Sequence, residues 1–207
     1  EGSKPPRAPH SAQAREDLQR RPSALGAVAL VALAFIFRPT PLAATDLPEH
    51  TASVENGRDM FNIGGCRSCH VPHGSGSEAL PVGGQVKTPL GTFVAPNLTP
   101  DEATGIGGWS NADFVNALTR GISPNGSHYF PVFPYASYQI VTPADAMDLK
   151  AYLDSLPATK AGEVSADLPF FIPLARPLIG AWKWLAGVDY ETYEADPAQS
   201  EAWNRGR

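Results

Sequence analysis

The chain has 207 residues, 43% of them hydrophobic and 18% charged, which is enough for one ordinary domain plus appendages. It carries 16 basic and 21 acidic residues, a formal net charge of −5 at pH 7. This acidic balance argues against nucleic acid as a partner, because phosphate backbones are held by basic side chains.

The N-terminal part is typical of an export signal. Two arginines at positions 20 and 21 precede an apolar run over residues 24–37, which is shorter than the roughly 20 residues that span a bilayer. The run predicts the hydrophobic region of a secretory signal, cleaved before Thr45, and an uncleaved N-terminal anchor is the alternative. We expect residues 1–44 to be this extension and the protein to be periplasmic. Residues 45–207 carry ten basic and 18 acidic residues, a net charge of −8 that favours a partner with a basic patch.

The first predicted helix covers residues 49–63 and leads into the motif that follows. Gly57 lacks a side chain and so predicts the close approach of another helix, with Phe61 one turn further on. Tyr152, in the last predicted helix, is placed to meet this surface. Gly64 and Gly65 predict the end of the first helix.

Cys66, Cys69 and His70 stand together as C-R-S-C-H and include both cysteines of the chain. This spacing is the attachment motif of c-type haem, in which two thioethers fix the porphyrin and the histidine becomes an axial ligand of the iron. Bacterial haem c is attached on the outer side of the membrane, in agreement with the predicted export. We predict one covalent haem c held by Cys66 and Cys69, with His70 as its iron ligand and no catalytic residue.

Three other functions of the motif agree less well with its surroundings. A thioredoxin-like redox pair needs a βαβ setting, and no apolar strand precedes Cys66. A zinc site needs four ligands, and Cys66, Cys69, His70 and His73 are too crowded in sequence to close a tetrahedron easily. A disulfide across two intervening residues is rare and strained.

Two further helices are predicted, each after a long loop. Residues 71–97 are rich in Gly, Pro and Ser without an apolar period, which predicts a loop around the haem edge. A capping box at Ser110 begins a short helix that ends at Gly121. Residues 122–141, rich in proline and aromatic residues, form a second loop that we expect to cover the distal haem face. Thr142 caps the last helix, whose apolar stripe recurs at helical spacing: Ala146, Leu149, Leu153 and Leu156.

No strand pattern is found, so the predicted fold is all-α. We expect a class I cytochrome c-like fold, with three or more short helices and long loops around one haem. The cytochrome c domain is predicted to cover residues 45–160. Residues 161–207 are predicted to form a connector and the start of a second, incomplete domain.

The order of these segments resembles the multihaem cytochrome c subunits of membrane-bound bacterial dehydrogenases, such as those of alcohol and gluconate oxidation. The resemblance covers about residues 52–157 and implies a subunit that passes electrons from a dehydrogenase towards ubiquinone or the respiratory chain. The implied partners are a dehydrogenase subunit as donor and a quinone or a cytochrome as acceptor. The resemblance rests on five blocks that occur in order: 64–70, 95–101, 105–110, 130–138 and 148–153.

The residues after Pro157 resemble the two-haem members of this family. Residues 168–174 and 182–185 resemble the connector between consecutive haem domains, and residues 196–207 resemble the first helix of a next domain. No second C-x-x-C-H occurs, so we expect a chain truncated after its first haem domain. Residues 170–188 also fit an interfacial membrane segment, but Pro173 and Pro177 favour packing against the domain.

The sequence departs from the resemblance at the sixth iron ligand. Dehydrogenase subunits commonly place a methionine where this chain has Phe133, and some place one near Val141. The two methionines here are Met60, in the first helix, and Met147, which we expect on the polar side of the last helix, roughly 140° from its leucine stripe. The candidates for the sixth ligand are therefore His128 and Met147. A loop or propionate-binding role for His128 fits equally well.

Two functions follow from these patterns. The first is an exported electron carrier, not an enzyme, that passes electrons through one haem from a dehydrogenase partner to the respiratory chain. The second is an open-site haem protein that binds or reacts with a small ligand at the sixth position. A non-functional fragment of a longer cytochrome is a third, weaker alternative.

Overall fold

The computed structural model describes residues 26, 28, 33, 37–162, 167–176, 178–186, 188 and 196–206. Most of the predicted apolar run over 24–37 lies outside this part, and residues 163–166 lie wholly outside it. The chain divides into two units, one ending at Arg38 and one beginning at Pro39, and the elements below belong to the second. Over the described positions, no helix is both long and apolar enough to cross a membrane.

Helices and loops dominate the described part of the second unit. Three longer helices form its frame, and short helices and one hairpin lie in the connections between them. In chain order the elements are a 3₁₀ turn (Ala44–Asp46), α1 (Val54–Ile63), α2 (Cys66–His70), β1 (Gln85–Thr88), β2 (Gly91–Val94), α3 (Asn111–Arg120), α4 (Tyr135–Tyr138), α5 (Pro143–Asp154), α6 (Phe171–Leu174), α7 (Leu178–Leu185) and α8 (Glu201–Gly206).

Helices α1 and α5 cross in close contact. A Cβ atom on Gly57 would lie 1.9 Å from the carbonyl oxygen of Asp148, so the two backbones meet where only glycine fits. Phe61 packs on Tyr152 beside this point, with ring centroids 5.5 Å apart. The predicted helix contact at Gly57 is confirmed.

Helix α3 packs against α5 and carries the predicted capping box. The Ser110 hydroxyl accepts a hydrogen bond from the Asp113 amide, and the Asp113 carboxylate accepts one from the Ser110 amide. The helix ends at Gly121, whose φ is 57°, and a Cβ atom there would lie 2.4 Å from the Tyr135 ring. Both predicted ends of this helix are confirmed.

The core of the domain lies where α1, α3 and α5 meet. The predicted stripe on α5 is confirmed, since Ala146, Leu149 and Leu153 are all at most 3% exposed. Met147, which we expected on the polar side, is also buried, at 6% exposed, and packs in the same core. That expectation was wrong because α1 and α3 both cover α5, so the buried arc is wider than one apolar stripe.

A small hairpin lies in the segment that was predicted to be only loop. Strands β1 and β2 pair antiparallel, with Gln85 opposite Val94 and Thr88 opposite Gly91. Thr92 extends the pairing by exchanging two backbone hydrogen bonds with Asp167. The expectation of no strands was therefore wrong here. Four-residue strands bounded by glycine and proline give no alternating pattern that would reveal them.

An N-terminal strap, which we define as residues 39–47, runs along α3. The Leu42 amide donates to the Asn116 side-chain oxygen at 2.7 Å, and the Asn116 side-chain amide donates back to the Leu42 carbonyl at 2.9 Å. Arg120 donates to the carbonyl of Thr40. Asn116 is only 5% exposed, so the strap satisfies a polar side chain that it also covers.

The chain returns to α3 through α7, after the end of the predicted domain. Gly180 and Lys183 on one face of α7 are buried, whereas Leu178, Trp182 and Leu185 on the opposite face are exposed. One face of α7 thus packs against the domain, in the way that the prolines led us to expect. The predicted domain boundaries at residues 45 and 161 stay predictions.

Candidate haem-attachment site

Helix α2 holds the whole C-R-S-C-H motif in about one and a half turns. Gly65 precedes it with a φ of 64°, so the chain turns sharply between α1 and α2. Cys66 and Cys69 are three residues apart and therefore lie on the same side of the helix. Both are free thiols and partly buried. The two sulfur atoms are thus available together for covalent attachment.

The electrostatics of the thiols argue against a redox pair of the thioredoxin type. Burial raises the pKa of Cys66 to about 11. A reactive redox cysteine needs a lowered pKa, so that the thiolate is present at neutral pH. Cys66 instead stays a protonated thiol until it is modified.

His70 is fixed in one tautomer by the backbone. Its Nδ1 lies 2.8 Å from the carbonyl oxygen of Pro96, and since a carbonyl only accepts, Nδ1 carries the proton. Burial lowers the pKa of His70, so the ring is neutral at physiological pH. Nε2 is left with its lone pair. This is the state in which histidine ligates a metal, with its other ring nitrogen bonded to an acceptor.

The loop that carries Pro96 is held by a buried polar network. Asn97 accepts hydrogen bonds from the amide and hydroxyl of Thr99, and donates to Thr104 and to the carbonyl of Thr159. Asn97 is 3% exposed and Thr99 is fully buried. The sequence pattern includes this block but does not predict its role in holding Pro96. A network that joins residues 60 positions apart leaves no periodic signal in the sequence.

The backbone before β1 packs directly against the motif. The Gly84 amide donates to the carbonyl of His70 at 3.2 Å, and a Cβ atom on Gly84 would lie 2.0 Å from the carbonyl oxygen of Cys69. Beside it, an open cleft of about 610 Å³ borders Cys69, Pro72 and Val86, with His73 on its lining. The motif is thus supported by backbone on one side and left accessible next to Cys69.

The aromatic loop over residues 129–141 contacts the motif from another direction. The Tyr138 hydroxyl donates to the carbonyl of Gly64 at 2.7 Å. The Phe133 ring lies about 6 Å from the rings of Tyr129, Tyr135 and Tyr138. Burial, with a smaller effect of the neighbouring cysteines, raises the pKa of Tyr138. The loop therefore brings an apolar aromatic cluster to the start of the motif.

The two predicted candidates for a sixth iron ligand have partners elsewhere. His128 is 7% exposed, and its Nδ1 accepts from the ammonium group of Lys183 at 3.0 Å. The Met147 sulfur accepts a hydrogen bond from the Asn111 side-chain amide at 3.5 Å. Both side chains therefore have polar partners of their own in this arrangement.

His50, which has no predicted role, joins the segment before α1 to α5. Its Nε2 lies 2.6 Å from the Asp148 carboxylate, which also accepts from the Ser53 amide and the Asn56 side chain. Burial would raise the pKa of Asp148, but these hydrogen bonds together outweigh it, and the pKa is lowered. The carboxylate therefore stays ionised in the folded protein.

The residues of the motif fit a covalently bound haem. Two free thiols on one side of a short helix are followed by a neutral histidine whose Nε2 has its lone pair. Cys66 packs against the helical core, and Pro72 and Val86 line the cleft beside Cys69. A zinc site fits less well, because no group of three His, Cys, Asp or Glu side chains within the described part of the chain is arranged to hold a metal ion.

Comparison with known proteins agrees with this arrangement. The cytochrome c family profile matches residues 54–157, from the start of α1 to just beyond α5. A diheme cytochrome c-type protein of Cereibacter sphaeroides is 45% identical over 160 residues, covering 76% of this chain and 53% of the relative. The fructose dehydrogenase cytochrome subunit of Gluconobacter japonicus is 30% identical over 171 residues, covering 82% and 35%. The gluconate 2-dehydrogenase cytochrome c subunit of Pantoea cypripedii is 31% identical over 167 residues, covering 80% and 37%.

The chain spans about half the length of the first of these relatives and about a third of the other two. The resemblance to dehydrogenase cytochrome subunits, predicted from five short blocks, is confirmed by these matches, and so is the class of fold. The chain belongs to the cytochrome c family.

Proposed function

We propose that this electron-carrier domain holds one haem c through Cys66 and Cys69 and exchanges electrons with a dehydrogenase partner. The observation that carries the proposal is the fixed tautomer of His70, whose Nδ1–H donates to the Pro96 carbonyl at 2.8 Å. A histidine beside two free thiols needs this orientation to become an axial ligand without rearrangement.

Each residue of the motif has a distinct task in this proposal. Cys66 and Cys69 would hold the porphyrin through thioether bonds, one from each thiol. His70 would ligate the iron through Nε2, and the Pro96 carbonyl, which accepts from Nδ1, would increase the electron density on that ring. The aromatic cluster around Phe133 would give the site an apolar wall. When bound, the haem supplies a one-electron iron couple, and the protein sets its potential through the axial ligand and burial.

The partners and location follow from the relatives and the charge. Two of the relatives are named as cytochrome subunits of dehydrogenases, which supports a dehydrogenase subunit as donor and a quinone or a cytochrome as acceptor. The apolar run over 24–37 supports export to the periplasm, by a cleaved signal or with an N-terminal anchor. Exposed Phe170, Trp182 and Trp184 offer apolar contacts to a partner or to a membrane surface.

Haem attachment is tested by producing the exported protein in a bacterium with haem c maturation. The single variants Cys66→Ser and Cys69→Ser should each keep one thioether, and the double variant should keep none. Haem staining of denaturing gels and the pyridine haemochrome spectrum distinguish the three cases. Ser68→Ala is the matched control, because it lies between the cysteines and leaves both thiols. Covalent haem on the double variant would refute the attachment.

The partner is tested by mixing the holoprotein with a dehydrogenase encoded beside its gene. Addition of the dehydrogenase substrate should reduce the haem at a rate proportional to the dehydrogenase concentration. If dithionite reduces the haem but no neighbouring dehydrogenase does, the proposed donor is wrong and the attachment is unaffected.

A further inference from the structure

The environment of the methionines bears on the sixth position of the iron. The chain has two, and both lie in described helices. Met147 is 6% exposed within the core of α1, α3 and α5, and its sulfur accepts from Asn111. Met60 lies in α1 and packs, partly buried, against the same core. Both thioethers are therefore part of the helical core.

The described histidines other than His70 are also accounted for. His50 is bonded to Asp148, and His128 is bonded to Lys183. His73 is exposed on the lining of the cleft beside Cys69, three residues from His70. A side chain so close in sequence to the proximal ligand cannot cross to the opposite side of the ring.

The two positions at which related subunits place a methionine have apolar side chains. Phe133 and Val141 both pack, partly buried, against the core. Phe133 lies among three tyrosine rings, and the nearest of these to the motif, Tyr138, donates its hydroxyl to the Gly64 carbonyl. The side chains that this loop contributes at these two positions are therefore aromatic and aliphatic. Neither a phenyl ring nor an isopropyl group ligates iron.

From these contacts we infer that residues 37–162 supply neither a methionine nor a second histidine to the iron, and that the side towards Phe133 and Val141 takes a small neutral ligand. The inference rests on the proposed haem attachment. Apolar surroundings without a protein ligand favour a diatomic molecule such as carbon monoxide, whereas they disfavour an anion, whose charge would lose its hydration.

The test uses the exported holoprotein, after the pyridine haemochrome spectrum has shown two thioethers. We expect the oxidised protein to be high-spin or water-bound by absorption and electron paramagnetic resonance. We expect the dithionite-reduced protein to bind carbon monoxide stoichiometrically without unfolding, followed by circular dichroism. A protein without covalent haem would instead contradict the proposed function itself.

Two variants locate the open side. Val141→Met and Phe133→Met place a thioether where relatives carry one, and at least one of them should become low-spin with the weak far-red band of methionine–iron bonding. That variant should lose about tenfold or more in carbon monoxide affinity, because a tethered ligand competes intramolecularly. Val141→Leu is the matched control and should retain the wild-type spectrum. If neither methionine variant changes the spin state, the open side does not lie at these residues.

Three other variants identify a ligand that the structure does not place on the iron. Met147→Leu, Met60→Leu and His128→Ala should each leave the haem spectrum and the carbon monoxide affinity unchanged. A low-spin wild type that excludes carbon monoxide, and that becomes high-spin in one of these variants, would overturn the inference and name the ligand.

Discussion

The absence of a side chain at Gly57 allows the backbones of α1 and α5 to meet. Because a Cβ atom there would lie 1.9 Å from the Asp148 carbonyl oxygen, any larger residue forces α1 and α5 apart. We predict that Gly57→Ala lowers the free energy of unfolding by about 3 kcal/mol, at the upper end of overpacking effects. Urea unfolding followed by circular dichroism measures it. Gly108→Ala is the control, since a Cβ atom there meets nothing within 4 Å.

Asp148 links the stability of the same crossing to pH. Hydrogen bonds from His50, Ser53 and Asn56 outweigh the effect of burial, so the pKa of Asp148 in the folded protein lies below its usual value near 3.9. The unfolded chain therefore binds a proton first as pH falls. The stabilisation is complete above the unfolded pKa and is lost as pH falls through the folded pKa.

We predict that Asp148→Asn removes this part of the acid dependence and costs about 1–3 kcal/mol at pH 7. Urea midpoints between pH 3 and pH 7 should be flatter in the variant than in the wild type. Asp154→Asn is the control, because that carboxylate is 39% exposed and pairs with Lys150 one turn away. An equal loss of acid dependence in both variants would show that Asp148 is not the responsible group.

At the scale of elements, the features that depend on local sequence were predicted correctly. The caps at Ser110 and Thr142 follow from one turn of chain, and the close approach at position 57 follows from a glycine inside a helix; all three are confirmed. The hairpin was missed because its strands are too short for a pattern. The prediction that Met147 lies on the polar side of α5 was wrong because a second helix covers that side. The partner of His128 was missed, since Lys183 lies 55 residues further along the chain.

Lys183 attaches α7 to the domain through buried polar contacts. Its ammonium group donates to the carbonyls of Arg120 and Gly121 and lies 4.5 Å from the centroid of the Tyr135 ring. Burial lowers the pKa of Lys183 to about 8, from 10.5 when exposed. Between these values the undocked helix binds more protons than the docked one. Docking of α7 should therefore strengthen as pH rises from about 8 to 10.

We predict that Lys183→Met weakens the docking of α7 by about 2 kcal/mol and abolishes its dependence on pH. Hydrogen exchange of residues 178–186, corrected for the intrinsic rate at each pH, reports the docking locally, while exchange in α1 and α5 should not change. Trp184→Ala is the control on the same helix, because that side chain is 71% exposed. Unchanged protection of α7 in Lys183→Met would contradict the assignment.

At the scale of the whole molecule, net charge affects the rate at which charged redox partners reach the haem. Residues 45–207 carry a net charge of −8, to which haem propionates add. Salt screens such a field over about 10 Å at 0.1 M. We predict that reduction by a cationic metal complex slows as salt is raised, and that reduction by an anionic complex accelerates. Stopped-flow rates with two small reagents of opposite charge measure this. Equal salt slopes for both reagents would show that the exposed haem edge does not sense the net charge.

The strap affects the order in which signal cleavage and folding occur during export. Leu42 lies three residues before Thr45, where the cut is predicted. Both its backbone amide and its backbone carbonyl are hydrogen-bonded to the side chain of Asn116. Proteases act on chain that has opened, so a strap that has already docked resists cutting. If residues 24–37 are a cleaved signal, cleavage by the peptidase competes kinetically with the folding of α3. The mass of the exported chain shows whether cleavage or folding came first. Asn116→Ala, which frees the strap, should shift that mass towards the shorter product.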